Sequence, residues 1–125
     1  MITNVLKFRV WDKNHFETDN DSFWIQNGKA FFDSSYGDDF SLSEIENAVI
    51  QQFTGLLDKN GKEIYEGDII KGFANYKGVE YEFSGIISFQ GCGFWCENAD
   101  FPLDQYQEFN ILGNIFENPS LLSEK

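Results

Sequence analysis

Apolar and polar residues alternate with a period of two over most of this chain. Val5-Leu6-Lys7-Phe8-Arg9-Val10-Trp11 places Leu6, Phe8 and Val10 on one face and Lys7 and Arg9 on the other, which predicts a half-buried strand with its charges outward. Residues 79–89 repeat the pattern most cleanly. There Tyr81, Phe83, Ile87 and Phe89 share one face, and Glu80, Glu82, Ser84 and Ser88 share the other. Phe23-Trp24-Ile25 and Lys29-Ala30-Phe31-Phe32 flank Asn27-Gly28, a hairpin signal, because both residues tolerate the positive φ of a type I′ turn. Residues 12–22 are polar and read as a loop. Residues 33–39, with acids around Ser34-Ser35-Tyr36-Gly37, read as a flexible acidic loop. Residues 72–78 read as another bend, and Gly91 and Gly93 turn the chain back into Phe94-Trp95-Cys96. Residues 99–107, with Pro102, form an irregular connection, and Phe109-Asn110-Ile111-Leu112-Gly113-Asn114-Ile115-Phe116 is a last strand with a bulge at Gly113.

Helical signals are few. Ser41 can cap a short helix over residues 41–47, with Glu44 three positions on as a capping box requires. The β-branched pair Val49-Ile50 then returns the chain to strand, and Asn118-Pro119-Ser120-Leu121-Leu122 reads as a capped final helical turn.

The middle of the chain, residues 52–70, holds two turns inside one apolar run. Around residues 58–62 two hairpin registers compete. A two-residue Asn60-Gly61 loop would set Lys59 against Lys62, a like-charge pair that costs up to about 1 kcal/mol. A three-residue Lys59-Asn60-Gly61 loop pairs Asp58 with Lys62 and puts glycine at the left-handed position, so this register is expected. Glu66-Gly67-Asp68 makes a second sharp turn. Short strands separated by glycine turns predict a mainly β fold: one domain over residues 1–125, a small curled antiparallel sheet or partly open barrel with added hairpins and one or two short helices.

Composition narrows the function classes. The chain carries 9 basic and 21 acidic residues, a net charge of −12, and a single arginine. Phosphate-backbone binding needs clustered lysine and arginine, so no direct nucleic-acid contact is expected. The acids are uneven: residues 12–46 hold nine against two lysines, whereas residues 53–77 hold four against four. No signal peptide opens the chain and no apolar stretch reaches membrane-span length, which predicts a soluble, intracellular protein. A calcium loop starting at Asp58 would need glycine at its sixth position and glutamate at its twelfth, where Glu63 and Ile69 stand. Asp19-Asn20-Asp21 fails likewise, with Trp24 at the sixth position. Cys92 and Cys96, four steps apart along a strand, lie about 13 Å apart, beyond the roughly 7 Å that a disulfide spans. Two reduced, structural thiols are expected, and no metal or cofactor. No phosphate loop or nucleophile–histidine pair is present, and Glu66 and Asp68 read as solvated turn acids, so no catalytic residues are assigned and no enzyme is expected.

Three blocks, taken together, resemble the YopX family of phage and prophage proteins: Lys7-Phe8-Arg9-Val10-Trp11-Asp12, the long central stretch over residues 53–70, and Leu112-Gly113-Asn114-Ile115-Phe116-Glu117-Asn118-Pro119. The resemblance implies a mostly β, SH3-like or barrel-like domain, a phage or prophage origin, and work in the bacterial cytoplasm. It also implies self-association, and it supplies no catalytic residues.

Two functional expectations follow. The first is a non-catalytic accessory protein that acts by protein–protein contact and forms homo-oligomers. It rests on the surplus of Trp11, Trp24, Trp95, Tyr36, Tyr76 and Tyr106 over what one small core hides. The second is an acidic decoy that docks on a basic, nucleic-acid-binding host protein through Asp33, Asp38, Asp39, Glu44 and Glu46.

Overall fold

The computed structural model describes residues 7–20, 22–90, 93–96, 99 and 103–120. Eleven strands account for nearly all of its regular structure: β1 Phe8–Trp11, β2 Phe16–Glu17, β3 Phe23–Gln26, β4 Lys29–Asp33, β5 Leu42–Glu44, β6 Val49–Leu57, β7 Glu63–Tyr65, β8 Asp68–Tyr76, β9 Val79–Gln90, β10 Gly93–Cys96 and β11 Glu108–Asn114. The fold is mainly β, with a curled antiparallel half-barrel sheet and two further antiparallel sheets. The sheet orders are β2-β1-β6-β7, β10-β9-β8-β11 and β3-β4-β5. The chain forms two compact units, Met1–Gln52 and Phe53–Lys125, with the boundary inside β6.

In the first unit, β1 pairs with β2 and with the opening residues of β6, and β3, β4 and β5 form a separate sheet. Its core is Val10, Phe23 and Ala30, flanked by Phe8, Ile45, Ala48 and Ile50. Arg9 departs from the alternation rule. It is only 7% exposed, its Nε donates to Gln51 Oε1 at 2.9 Å, and its guanidinium lies 4.0 Å from the centre of the Phe16 ring. A long side chain whose charged head finds an acceptor and an aromatic face can lie inside the fold. The polar stretch after β1 is held by Asn20, whose amide bonds both the N–H and the C=O of Phe8.

The segment expected as a helix over residues 41–47 is strand β5 instead. Its register on β4 is Phe31↔Glu44, Phe32↔Ser43 and Asp33↔Leu42, and Ile45 N–H extends the ladder to Ala30 C=O at 2.8 Å. A helix of seven residues gains little on its own, and the neighbouring strand edge offers bonds at once. Asn47, at φ 56, then turns the chain into β6. Residues 33–39 are likewise a built hairpin tip rather than a loose loop.

In the second unit, Ile64, Ile70, Ala74, Phe83, Ile87, Cys96, Leu103, Tyr106 and Phe109 form the core. Tyr106, read in the sequence as surplus, is buried here, its ring 4.6 Å from that of Phe83. Cys96 is also a core residue, whereas Cys92 lies outside the described residues. The expected three-residue loop is present: Asp58 N–H meets Lys62 C=O at 2.8 Å, Gly61 N–H meets Asp58 C=O at 3.0 Å, and Gly61 has φ 84. Asp58 Oδ1 also accepts the Asn60 and Lys62 amides at 2.8 Å each. The bend expected over residues 72–78 is confined to Lys77-Gly78, because β8 runs unbroken through Gly72 to Tyr76. The expected bulge in β11 lies between Ile111 and Gly113. Asn114 Oδ1 then accepts the Phe116 and Glu117 amides, closing the final described turn. Of the expected last helical turn, Leu121 and Leu122 lie outside the described residues.

Candidate functional site

Among the described residues, the tip between β4 and β5 carries the two most exposed aromatic side chains. Between β4 and β5 the backbone doubles back sharply. Ser34 N–H donates to Ser41 C=O at 2.9 Å, and Tyr36 and Asp39 exchange two backbone hydrogen bonds around Gly37. Hydroxyls tie the base of the tip together. Ser43 Oγ donates to Ser34 Oγ at 2.7 Å, Ser34 and Ser41 hydroxyls lie 3.2 Å apart, and Ser35 Oγ accepts the Ser41 amide at 2.9 Å. Each bond replaces one to water and adds little alone, but together they fix the loop's path. The fixed loop displays Tyr36, 88% exposed, and Phe40, 75% exposed. On the sheet itself Trp24 and Phe32 are also exposed, on opposite faces, as their strand positions require.

The five sequence-selected acids meet here only in part. Asp33 ends β4, and Asp38 and Asp39 sit in the tip. Glu44 ends β5 on the face it shares with Asp33, with Lys29 Nζ 3.9 Å away, so its charge is partly offset. Glu46 lies beyond the strand, in the Glu46-Asn47 turn. Hydrogen bonds from the Ser35 hydroxyl and amide hold the Asp33 carboxyl below the usual carboxylate range. Its grip on Ser35 is therefore complete above that range and fails as pH falls through the lowered value. In an acid titration the Ser35 amide resonance should move with Asp33, and Asp33→Asn should abolish that movement. Phe40 and the serine network had no signal in the hydrophobic pattern. The repeated serines on both sides of the tip were the available clue.

In the second unit Tyr76, Phe89 and Trp95 are also exposed, at 51%, 49% and 41%. An open groove of about 230 Å3 is lined by Lys59, Lys71, Phe73, Glu82 and Glu108, with Lys71 and Glu82 paired at 3.4 Å. Asp68, read in the sequence as a solvated turn acid beside Glu66, is 3% exposed and accepts the Tyr65 amide at 2.8 Å. Among the described residues no three histidine, cysteine, aspartate or glutamate side chains converge as a metal would need, and no helix is long and apolar enough to cross a membrane.

A mainly β chain with a clamped aromatic hairpin is thus the class of protein at hand. The family model described as YopX protein matches residues 7–123, and the chain belongs to the YopX family. A crystal structure of protein EF1440 from Enterococcus faecalis is similar to it, with a TM-score of 0.66 at 27% sequence identity, over 96% of this chain and 99% of that one. No curated protein matches the chain.

Proposed function

We propose that this YopX-family chain is a non-catalytic accessory protein, encoded by a phage or prophage and working in the cytoplasm of its bacterial host. It acts by protein–protein contact and by self-association. The observation that carries this reading is the pair Tyr36 and Phe40, held almost bare to solvent on a hairpin whose path the surrounding serines fix. Ordered aromatics lose little entropy on binding and are enriched among residues that dominate interface energies. The double substitution Tyr36→Ser, Phe40→Ser should change folding stability by less than about 0.5 kcal/mol, since neither side chain packs in a core. Capture of a protein partner should fall at least about tenfold. Unchanged capture by the double variant would remove the tip from the account.

A second reading is favoured by the acids around those aromatics. Asp33, Asp38 and Asp39 could dock on a basic, nucleic-acid-binding host protein, with Glu44 and Glu46 adding charge from β5 and the turn beyond it. Such a complex should weaken steeply as salt rises. Converting the five carboxylates to amides should release it, and a complex indifferent to both changes would rule the decoy out.

A further inference from the structure

The tripeptide Asn-Gly-Lys occurs twice in the chain, as Asn27-Gly28-Lys29 and as Asn60-Gly61-Lys62, and no other asparagine precedes a glycine. Both copies sit in exposed hairpin turns with the glycine in the left-handed region, at φ 76 for Gly28 and φ 84 for Gly61. Asparagine before glycine is chemically reactive, because glycine has no side chain to hinder attack of its amide nitrogen on the asparagine Cγ. The tripeptide is the same at both places, so a difference in reactivity comes from the structure around it.

The two turns differ in what holds the attacking nitrogen. Gly61 N–H donates to Asp58 C=O at 3.0 Å. Around it, Asp58 Oδ1 accepts the Asn60 and Lys62 amides at 2.8 Å each, and Lys59 N–H donates to Phe109 C=O at 2.9 Å, which ties the loop to β11. Among the described residues, Gly28 N–H has no hydrogen-bond acceptor and the Asn27 side chain has no partner. Only the Gln26↔Lys29 pair closes that turn. A Cβ added at either glycine meets nothing within 4 Å, so crowding does not separate the two sites.

We infer that Asn27 is a site of spontaneous covalent modification, and that Asn60 is protected from the same reaction by its loop. The Gly28 amide nitrogen, on losing its proton, bonds to Asn27 Cγ. The Cγ–N bond of the side-chain amide breaks, and ammonia leaves with that proton. Water then opens the cyclic imide at one carbonyl or the other, giving aspartate or isoaspartate, with no oxidant or cofactor consumed. The reaction requires the turn to open locally, and a turn closed by one strand pair opens more readily than one held by the Asp58 and Phe109 bonds. Either product adds a negative charge beside Lys29, whose Nζ lies 3.9 Å from Glu44 Oε1. Isoaspartate also routes the main chain through Cβ, which lengthens a two-residue turn whose geometry sets the register of β3 on β4.

This site is independent of the contact reading, since it uses neither the aromatic tip nor a partner. The test is incubation of the full, unsubstituted chain at neutral pH, with peptide mapping that follows aspartate and isoaspartate at both asparagines over time. Asn27 should convert at least about five times faster than Asn60. In denaturant the two rates should converge to within about twofold, because the protecting bonds are gone and the tripeptides are the same. Asp58→Ala leaves the Asn60 and Lys62 amides without their acceptor, so it should speed conversion at Asn60 at least about threefold and leave Asn27 unchanged. An Asn60 that converts as fast as Asn27 in the native chain would overturn the inference. So would a native chain in which neither site converts while both convert in denaturant.

Discussion

Gly72→Ala is expected to destabilise the protein by about 1 to 3 kcal/mol, the range for overpacking a filled core. Gly72 faces Phe83 directly across β8 and β9. A Cβ at that position would stand 2.0 Å from Phe83 Cε1 and 2.6 Å from Cζ. The ring cannot swing aside, because Tyr106 backs it at 4.6 Å and both side chains are buried. Glycine in a strand interior normally weakens it, and here the absent side chain is the space that the cross-strand ring fills. The effect should appear as a lower denaturant midpoint with an unchanged slope. Gly93→Ala is the control: an added Cβ there meets nothing within 4 Å and the residue has no positive φ, so its midpoint should stay within about 0.5 kcal/mol of the parent.

The second large effect is at Asp68. Its carboxylate is buried and accepts the Tyr65 amide across the Glu66-Gly67 turn, where Gly67 has φ 86 and donates to Ile87 C=O at 2.8 Å. Asp68→Ala leaves the Tyr65 amide without that acceptor and should cost about 2 to 3 kcal/mol in urea unfolding. Asp68→Asn keeps one oxygen and should recover part of the loss. Equal losses for the two variants would mean that charge, not the hydrogen bond, holds the turn.

The central hairpin was legible because local chemistry and pairing agree there: Asp58 opposite Lys62 and Gly61 in the left-handed position satisfy both at once. The alternation over residues 79–89 was legible in part: Phe83 and Ile87 are buried on the expected face, whereas Phe89, expected on the same face, is 49% exposed. Three failures share a different cause, the neighbour in space. Ser41 and Glu44 carry the marks of a helix cap, yet β4 offers their backbone an edge to pair with. Arg9 sits at an outward position, yet Gln51 and Phe16 give its guanidinium an acceptor and a ring. Gly72 reads as a bend until Phe83 is placed opposite it. The acids of the candidate site were visible in the sequence, because charge bias needs no structure. Phe40 was not, because an apolar residue in a polar run reads as core until its exposure is known.

Among the described residues the two least covered aromatic side chains, Tyr36 and Phe40, stand on the clamped tip between β4 and β5. The measurement that tests the account most directly is the solution mass of the full chain across a hundredfold range of concentration, at low and at high salt. Self-association predicts a mass that rises above 14.4 kDa as concentration increases. A mass that stays at 14.4 kDa throughout would contradict it.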